Sequence, residues 1–471
     1  MILINLIKTI LLFYAMSFYA QGKPNIVFLL VDDLGWGDLC CYGATFNETP
    51  NIDALAKQGM LFTNAYACST VCSPSRAAIL TGRYPARTHI TDWISGHNFP
   101  YAKLSIPDWN MKIEHTTTTL AEALKQGGYH TSFFGKWHLI PENPGDLASH
   151  YPTNHGFDIN IGGNHWGMPK GKGKYFSPFE MPNLDDGNPG DFLTDKLTGA
   201  AITYLDTIHR GKPFFLYLSY YTVHGPLMCP EKLEKKYTEK AQSFKNTKKE
   251  FIDPKRAGML TSLDNSVGRI VKKIEALGIS DNTILILTGD NGGNFDQTTA
   301  GLRGYKGFSY EGGVREPFIV RWPGKIAPNT TSDEVIIGTD VYPTVLELAG
   351  LPLKPGEHQD GISIAPLLKG DSKNINRDAV YWHYPHYHRT KPYGAVRKGD
   401  YKLIEFFEDG SLELYNLRKD PRETQNLAST HQVLSLELLQ NLKNWRHSVG
   451  AQMMKENPKY DPLKAELKVK N

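Results

Sequence analysis

The stretch Asn25-Ile26-Val27-Phe28-Leu29-Leu30-Val31-Asp32-Asp33 sets six apolar residues in a row and stops them on two adjacent carboxylates. A run this short, rich in β-branched and aromatic side chains and ended by polar residues, predicts a buried β-strand rather than a helix. Three later runs end the same way. Residues 131–134 lead into Lys136 and His138, residues 214–219 lead towards His224, and residues 283–288 lead into Asp290 and Asn291. Between them, residues 119–126, 193–209 and 260–277 place apolar side chains at helical spacing. Strand alternating with helix predicts an α/β domain with a central sheet flanked by helices.

In an open α/β sheet the ligand sits beyond the carboxyl ends of the strands. Each polar group taken singly has a plainer reading, as a turn cap, a loop or a structural histidine. Four apolar strands that all end so are harder to explain this way, because charge buried near a sheet rim is costly unless it is neutralised. Asp32, Asp33, Asp290 and the amide oxygen of Asn291 are oxygen donors suited to a hard cation such as Ca²⁺. The nearby lysines and histidines would then face an anion.

Other classes are excluded by composition. Lys plus Arg total 52 against 49 Asp plus Glu in 471 residues, a formal net charge of +3, so no broad electrostatic surface for nucleic acid is present. With 40% hydrophobic and 21% charged residues the chain is globular and long enough for more than one domain. Residues 1–22 combine Lys8, an apolar run over residues 10–14 and small residues at Ala20 and Gly22, the pattern of a signal peptide. The run is too short for a membrane span of about 20 residues. An exported protein, periplasmic or secreted and without a membrane span, is expected. The five cysteines, Cys40, Cys41, Cys68, Cys72 and Cys229, have no repeated metal-binding spacing, and an odd number cannot all pair; no disulfide is assigned.

Residues 231–250 are a dense charge run that reads as a solvated, mobile insertion. From about residue 378 short strands separated by turns replace the α/β pattern, followed by an amphipathic segment over residues 433–445 and a basic tail, read as frayed, after Lys455. The expected division is a signal peptide over 1–22, a catalytic domain over 23–377 and a small α+β domain over 378–471.

Cys72-Ser73-Pro74-Ser75-Arg76, continuing through Thr81-Gly82-Arg83, resembles the signature of the formylglycine-dependent type I sulfatases. Asp32-Asp33, Gly135-Lys136-Trp137-His138, His224-Gly225-Pro226, Asp290-Asn291-Gly292 and Lys306 ahead of Glu311-Gly312-Gly313 follow in the order of that family, so the resemblance spans roughly residues 25–360. It implies an alkaline-phosphatase-like large domain followed by a smaller one with an antiparallel sheet. It further implies that Cys72 is oxidised to formylglycine by a formylglycine-generating or maturase enzyme. Asp32, Asp33, Asp290 and Asn291, with the modified Cys72, would hold one divalent ion, usually calcium, with magnesium as the alternative.

The resemblance also implies the catalytic set Cys72, Arg76, Lys136, His138, His224 and Lys306. An aldehyde hydrate offers two hydroxyls on one carbon, one to attack sulfur and one to expel the sulfate later. Arg76 would stabilise the hydrate, and Lys136, His224 and Lys306 would grip sulfate oxygens. His224, or else Lys306, would protonate the leaving oxygen, and His138 would be the base that releases sulfate. Trp93, His97, His165, Trp166, His386, His388 and Arg389 are candidates for binding the rest of a sulfated carbohydrate, since aromatic faces stack on sugars and His or Arg bind hydroxyls and carboxylates; the stretch from His383 to Arg389 reads equally as a His-rich surface loop. Two rival expectations stand beside this one: a phosphate mono- or diesterase on the same fold, and a catalytically silent binder of sulfated glycans should Cys72 stay a thiol.

Overall fold

The structure is a computed structural model that describes residues 22–142 and 147–468. Among the described residues nine strands form one sheet: β1 (Asn25–Val31), β2 (Met60–Tyr66), β3 (His130–Gly135), β4 (Ile159–Ile161), β5 (Phe214–Tyr220), β6 (Thr283–Gly289), β7 (Arg315–Arg321), β8 (Thr330–Ser332) and β9 (Ile336–Ile337). Their order is β9-β2-β7-β6-β1-β5-β3-β4, with β8 also paired to β2. Of these, β7 alone runs against its neighbours. Every residue of β1, β5 and β6 is buried, as expected for central parallel strands covered on both faces.

Alternation along β1 divides the core. Ile26, Phe28 and Leu30 join one apolar cluster with Leu120 and Leu124 of the helix Leu120–Gln126 and with Val345 of the helix Val341–Leu348. Val27, Leu29 and Val31 join the other, with Leu197 of the helix Leu193–Ile208 and Leu263 and Val267 of the helix Pro254–Ala276. Helices therefore cover both faces, and the predicted α/β class is the observed one.

Register carries the site. Val31 pairs with both Tyr220 and Gly289, and Gly135 pairs with Ser219. The residues that follow, Asp32, Asp290 and Lys136, thus leave the sheet at one edge within a row of each other. The strand endings singled out in the sequence meet because parallel pairing keeps them level.

The C-terminal part forms a four-stranded antiparallel sheet, Val380–Tyr384, Tyr393–Lys398, Tyr401–Phe406 and Leu412–Asn416 in that order, with the helix Gln432–Ser448 against it. Two expectations are corrected. The charged stretch holds a helix, Glu231–Ser243, pinned by the fully buried Tyr237 against Phe46, while Lys240 donates to Glu48 at 2.8 Å. One aromatic anchor among many charges was too weak a periodic signal to see. The basic tail is not frayed at its start: Lys455–Glu456 pairs with Leu104–Ser105, and Asn457 Nδ2 donates to Pro100 O and Ala102 O. The segment carrying the export signal, residues 1–21, lies outside the described residues. No described helix is long and apolar enough to cross a membrane.

Candidate active site

Cys72 is the first residue of the helix Cys72–Thr81, whose ten residues are all buried. The helix begins after the extended Val71 and ends at Gly82, which takes a left-handed φ of 63° and closes the last turn through Ala78 O. Its free N–H groups and the positive end of its dipole therefore lie at residue 72. Arg76, one turn on, falls on the same face. Its Nε donates to Asp290 Oδ2 at 2.8 Å and Nη2 lies 2.8 Å from the same oxygen; Nη1 donates to Lys136 O at 2.8 Å and Ser219 Oγ at 2.7 Å. Asp290, Lys136 and Ser219 come from three strand ends, and Arg76 ties them to the helix.

Around Cys72 the charges interlock. Its Sγ lies 3.6 Å from Asp32 Oδ1 and accepts from Lys306 Nζ at 3.3 Å. Lys306 Nζ also donates to Asp33 Oδ1 at 2.6 Å, and Lys136 Nζ to Asp32 Oδ2 at 2.6 Å. Asn291 Nδ2 donates to Asp33 Oδ1 at 2.9 Å. Burial works against charge on Asp33, but Lys306, His224 and Lys136 outweigh it and hold the carboxyl well below the usual range. Burial raises Asp290, with Asp32 adding to the rise and Arg76 opposing it. Burial likewise works against the Lys306 ammonium, yet Asp33 and its neighbours keep its pKa above the ordinary lysine value. Burial pushes the Cys72 thiol up to about 12 in spite of Lys136 and Lys306. An unmodified Cys72 therefore stays a thiol at neutral pH and is a poor nucleophile.

The donor set fits a cation. Asp33 Oδ2 and Asn291 Oδ1 are buried with no hydrogen-bond partner among the described residues. Asp32, Cys72 and Asp290 bring one ligand atom each within 4.8 Å of one another, and so do Asp33, Cys72 and His224. Unpartnered buried oxygens beside three clustered carboxylates are what a hard, oxygen-ligated ion would satisfy.

Two histidines flank this cluster. His138 Nε2 donates to Ile94 O at 2.6 Å, leaving Nδ1 buried and unpartnered with a lone pair. Burial and then Lys136 hold its pKa well below the usual value, so it is a neutral imidazole able to accept a proton. His224 donates Nδ1–H to Gly225 O at 2.8 Å and turns Nε2 towards Asp33 Oδ2, 3.8 Å away. Burial and Lys306 hold it neutral as well, with Asp33 opposing. Asp33 and His138 both take left-handed backbone, φ 58° and 56°, which is the kind of local strain that functional sites retain.

A cavity of about 250 Å³ opens over Cys72, His138, His224 and Lys306. Trp93, His97, His388 and Arg389 line it, together with Glu142, Met168, Lys170 and Asn294. His386 stands behind the wall: it is 1% exposed, bonded to Thr91 Oγ1 at 2.8 Å, and 3.8 Å from Asp92. His165 and Trp166 are not among the lining residues, and Trp166 packs on the apolar cluster around β1. Ser219 and Asn294 were missed by sequence reasoning. Ser219 could have been flagged as the one small polar residue in Phe214–Tyr220, FFLYLSY, and Asn294 by its place after the Gly292-Gly293 turn. All five cysteines are free among the described residues.

Comparisons with known proteins agree on one family. The profile of the family Sulfatase matches residues 24–351, and that of the N-sulphoglucosamine sulphohydrolase C-terminal region matches residues 304–448. A sulfatase of Formosa agariphila is 33% identical, covering 90% of this chain and 88% of its own length. Human arylsulfatase A is 32% identical, over 93% of this chain and 89% of its own. Among solved structures, Ps i-CgsB in complex with k-i-k-neocarrahexaose is 26% identical with a TM-score of 0.74, covering 93% of this chain and 94% of that one.

Proposed function

The chain belongs to the sulfatase family and is a sulfuric ester hydrolase, and on that premise we propose that it desulfates a sulfated polysaccharide or its oligosaccharides through a formylglycine at residue 72 and one bound calcium ion. The observation that carries the reading is the buried Cys72 at a helix N-terminus, ringed by Asp32, Asp33, Asp290 and Asn291 and by Lys136 and Lys306, with a thiol too weakly acidic to serve unmodified. A bound divalent ion would neutralise the carboxylates and make a hydroxyl at residue 72 easier to deprotonate. Asp32, Asp33, Asp290 and Asn291 would hold it; their oxygens favour calcium, and magnesium is the alternative.

The chain's own residues then divide the work. One hydroxyl of the residue 72 hydrate gives its proton to Asp290 and attacks sulfur, and the bond from sulfur to the substrate's alcohol oxygen breaks. Lys136 and Lys306 stabilise the charge on the sulfate oxygens. The leaving oxygen takes a proton from Lys306 or from His224; Lys306 carries its proton in the free enzyme, whereas His224 Nε2 gains one only when the anionic substrate raises its pKa. His138 then accepts the proton of the second hydroxyl, the carbon–oxygen bond to sulfate breaks, and the aldehyde returns. Water need not attack sulfur.

Carbohydrate as the substrate is supported by the cavity wall of Trp93, His97, His388 and Arg389 and by the oligosaccharide named with Ps i-CgsB. Export is proposed from the N-terminal pattern, and a formylglycine-generating or maturase enzyme is the implied partner. The test is peptide mass spectrometry of the protein from its native host, followed by a panel of sulfated glycan oligomers run beside aryl, steroid and phosphate esters. Conversion of cysteine to aldehyde lowers the peptide mass by about 18 Da. An unmodified thiol would leave only a binder of sulfated glycans, and activity confined to aryl or steroid sulfates would sink the carbohydrate assignment.

A further inference from the structure

Against Trp137, three histidines from separate segments meet. His115 is exposed, whereas His150 and His155 are 7% and 1% exposed. One ring nitrogen from each lies within 4.8 Å of the other two. The rings of His115 and His150 stack at 4.7 Å and those of His115 and His155 at 5.0 Å. Both nitrogens of His155 are buried with no hydrogen-bond partner among the described residues. A neutral imidazole has one donor and one acceptor, and leaving both unmade in the interior is costly. His150 Nε2 meets the Lys112 ammonium at 3.2 Å; an ammonium has only protons to give, so that lone pair already faces a cation.

We infer that His115, His150 and His155 form a second metal site, separate from the oxygen-lined catalytic centre, that takes a borderline divalent transition metal such as Zn²⁺. Three imidazoles, with no carboxylate in the cluster among the described residues, favour nitrogen-seeking ions over calcium. Tetrahedral Zn–N bonds of about 2.0–2.1 Å place ligand nitrogens about 3.3 Å apart. The three nitrogens, now within 4.8 Å of one another, would draw together to that spacing on binding, and the fourth position is left to water. The metal would supply the partner that His155 lacks and would displace Lys112 from His150.

Its place in the fold gives the site a use. Trp137 Nε1 donates to His150 O at 3.1 Å, and the Trp137 ring stacks on His155 at 5.7 Å. Trp137 stands between Lys136 and His138, so a metal clamping His150 to His155 would brace the turn that presents both. It would do so as a positioning element that touches no substrate.

The decisive experiment is a zinc titration of the full-length, chelator-stripped protein in excess calcium, with bound metal counted by elemental analysis and the Co²⁺ derivative read by its visible spectrum. The wild type and Asp33→Asn should each take one zinc, with a rise in Tm and a tetrahedral Co²⁺ band. His115→Ala, altered at an exposed position, should keep its fold and its zinc-free, calcium-supported activity yet bind zinc at least 100-fold more weakly, and His155→Gln should do the same. Absence of zinc binding in the wild type, equal binding in His115→Ala, or loss of the zinc in Asp33→Asn would each overturn the site and leave the three rings as a packing stack. None of these readouts depends on which ester the enzyme cleaves.

Discussion

Cys72 is held among two ammonium groups and a guanidinium, which should ease ionisation, and yet burial leaves its thiol at about 12. A side chain so placed is ready for chemistry only if its sulfur is exchanged for oxygen. Cys72→Ala should therefore abolish turnover while changing stability by less than about 1 kcal/mol, since one small buried group is lost; a calorimetric scan beside the assay checks both. The two candidate acids separate by leaving group. An alcohol leaving from a sugar needs a proton, whereas an activated phenolate does not. Loss of the true acid should cost about 10²–10⁴ in kcat on sugar sulfates and far less on an activated aryl sulfate. Lys306→Ala is expected to show that contrast, because His224 already spends Nδ1–H on Gly225 O and keeps no proton on Nε2 in the free site. Equal losses on both substrates would instead make Lys306 a sulfate ligand only. His138→Ala should leave the first half-reaction running, so a burst of released alcohol and a covalently sulfated residue 72 are expected in rapid quench.

Among the elements, strand endings were the legible part. Val31, Gly135 and Gly289 close apolar runs, and the register sets the groups beyond them side by side. That much follows from a sequence because a buried strand declares itself by its own composition. The walls of the cavity were half legible: Trp93, His97, His388 and Arg389 reach it, but His386, two residues from His388, turns into the core to meet Thr91. Side-chain direction in an irregular segment follows no period, so sequence could not separate those neighbours. Glycine at 135 is a place where the element demands one residue type. Its φ is 95°, and an added Cβ would sit 1.9 Å from Ser219 O, against backbone that cannot yield. Gly135→Ala should shift β3 from β5 and with it Lys136, costing about 1–3 kcal/mol in a denaturant titration and lowering kcat well beyond what partial unfolding explains.

At the scale of the whole molecule, the large sheet and the C-terminal sheet are joined by a buried ionic knot. Lys402, on the strand Tyr401–Phe406, lies 3.1 Å from Glu311 and 3.0 Å from Glu423, all three fully buried. Tyr66 of β2 donates to Glu311 at 2.6 Å, and Glu311 N donates to Glu423 Oε2 at 2.7 Å. Glu311 opens the short helix that leads into β7, so the knot couples the C-terminal sheet to the loop carrying Lys306. One ammonium cannot fully offset two carboxylates. Burial, with Glu311 adding and Lys402 opposing, raises Glu423 to about 7, while Lys402 holds Glu311 low against its own burial. A carboxyl raised in the folded state binds a proton there that the unfolded chain has already released. Its stabilising contribution is complete below the unfolded value near 4.5 and is lost as pH climbs through about 7. The wild type should therefore lose stability between pH 5 and 8 relative to Glu423→Gln, whose amide does not titrate and can still accept from Glu311 N. Chemical denaturation of both proteins across that window measures the difference, and parallel curves would remove Glu423 as its source. Lys402→Met removes the ammonium that both carboxylates share, leaving Glu311 to Arg315 at 3.8 Å and Glu423 without it, and should cost about 3–5 kcal/mol. That loss should grow as pH rises above about 7, where the wild-type Glu423 has released its proton and the variant, lacking Lys402, still holds one that the unfolded chain does not.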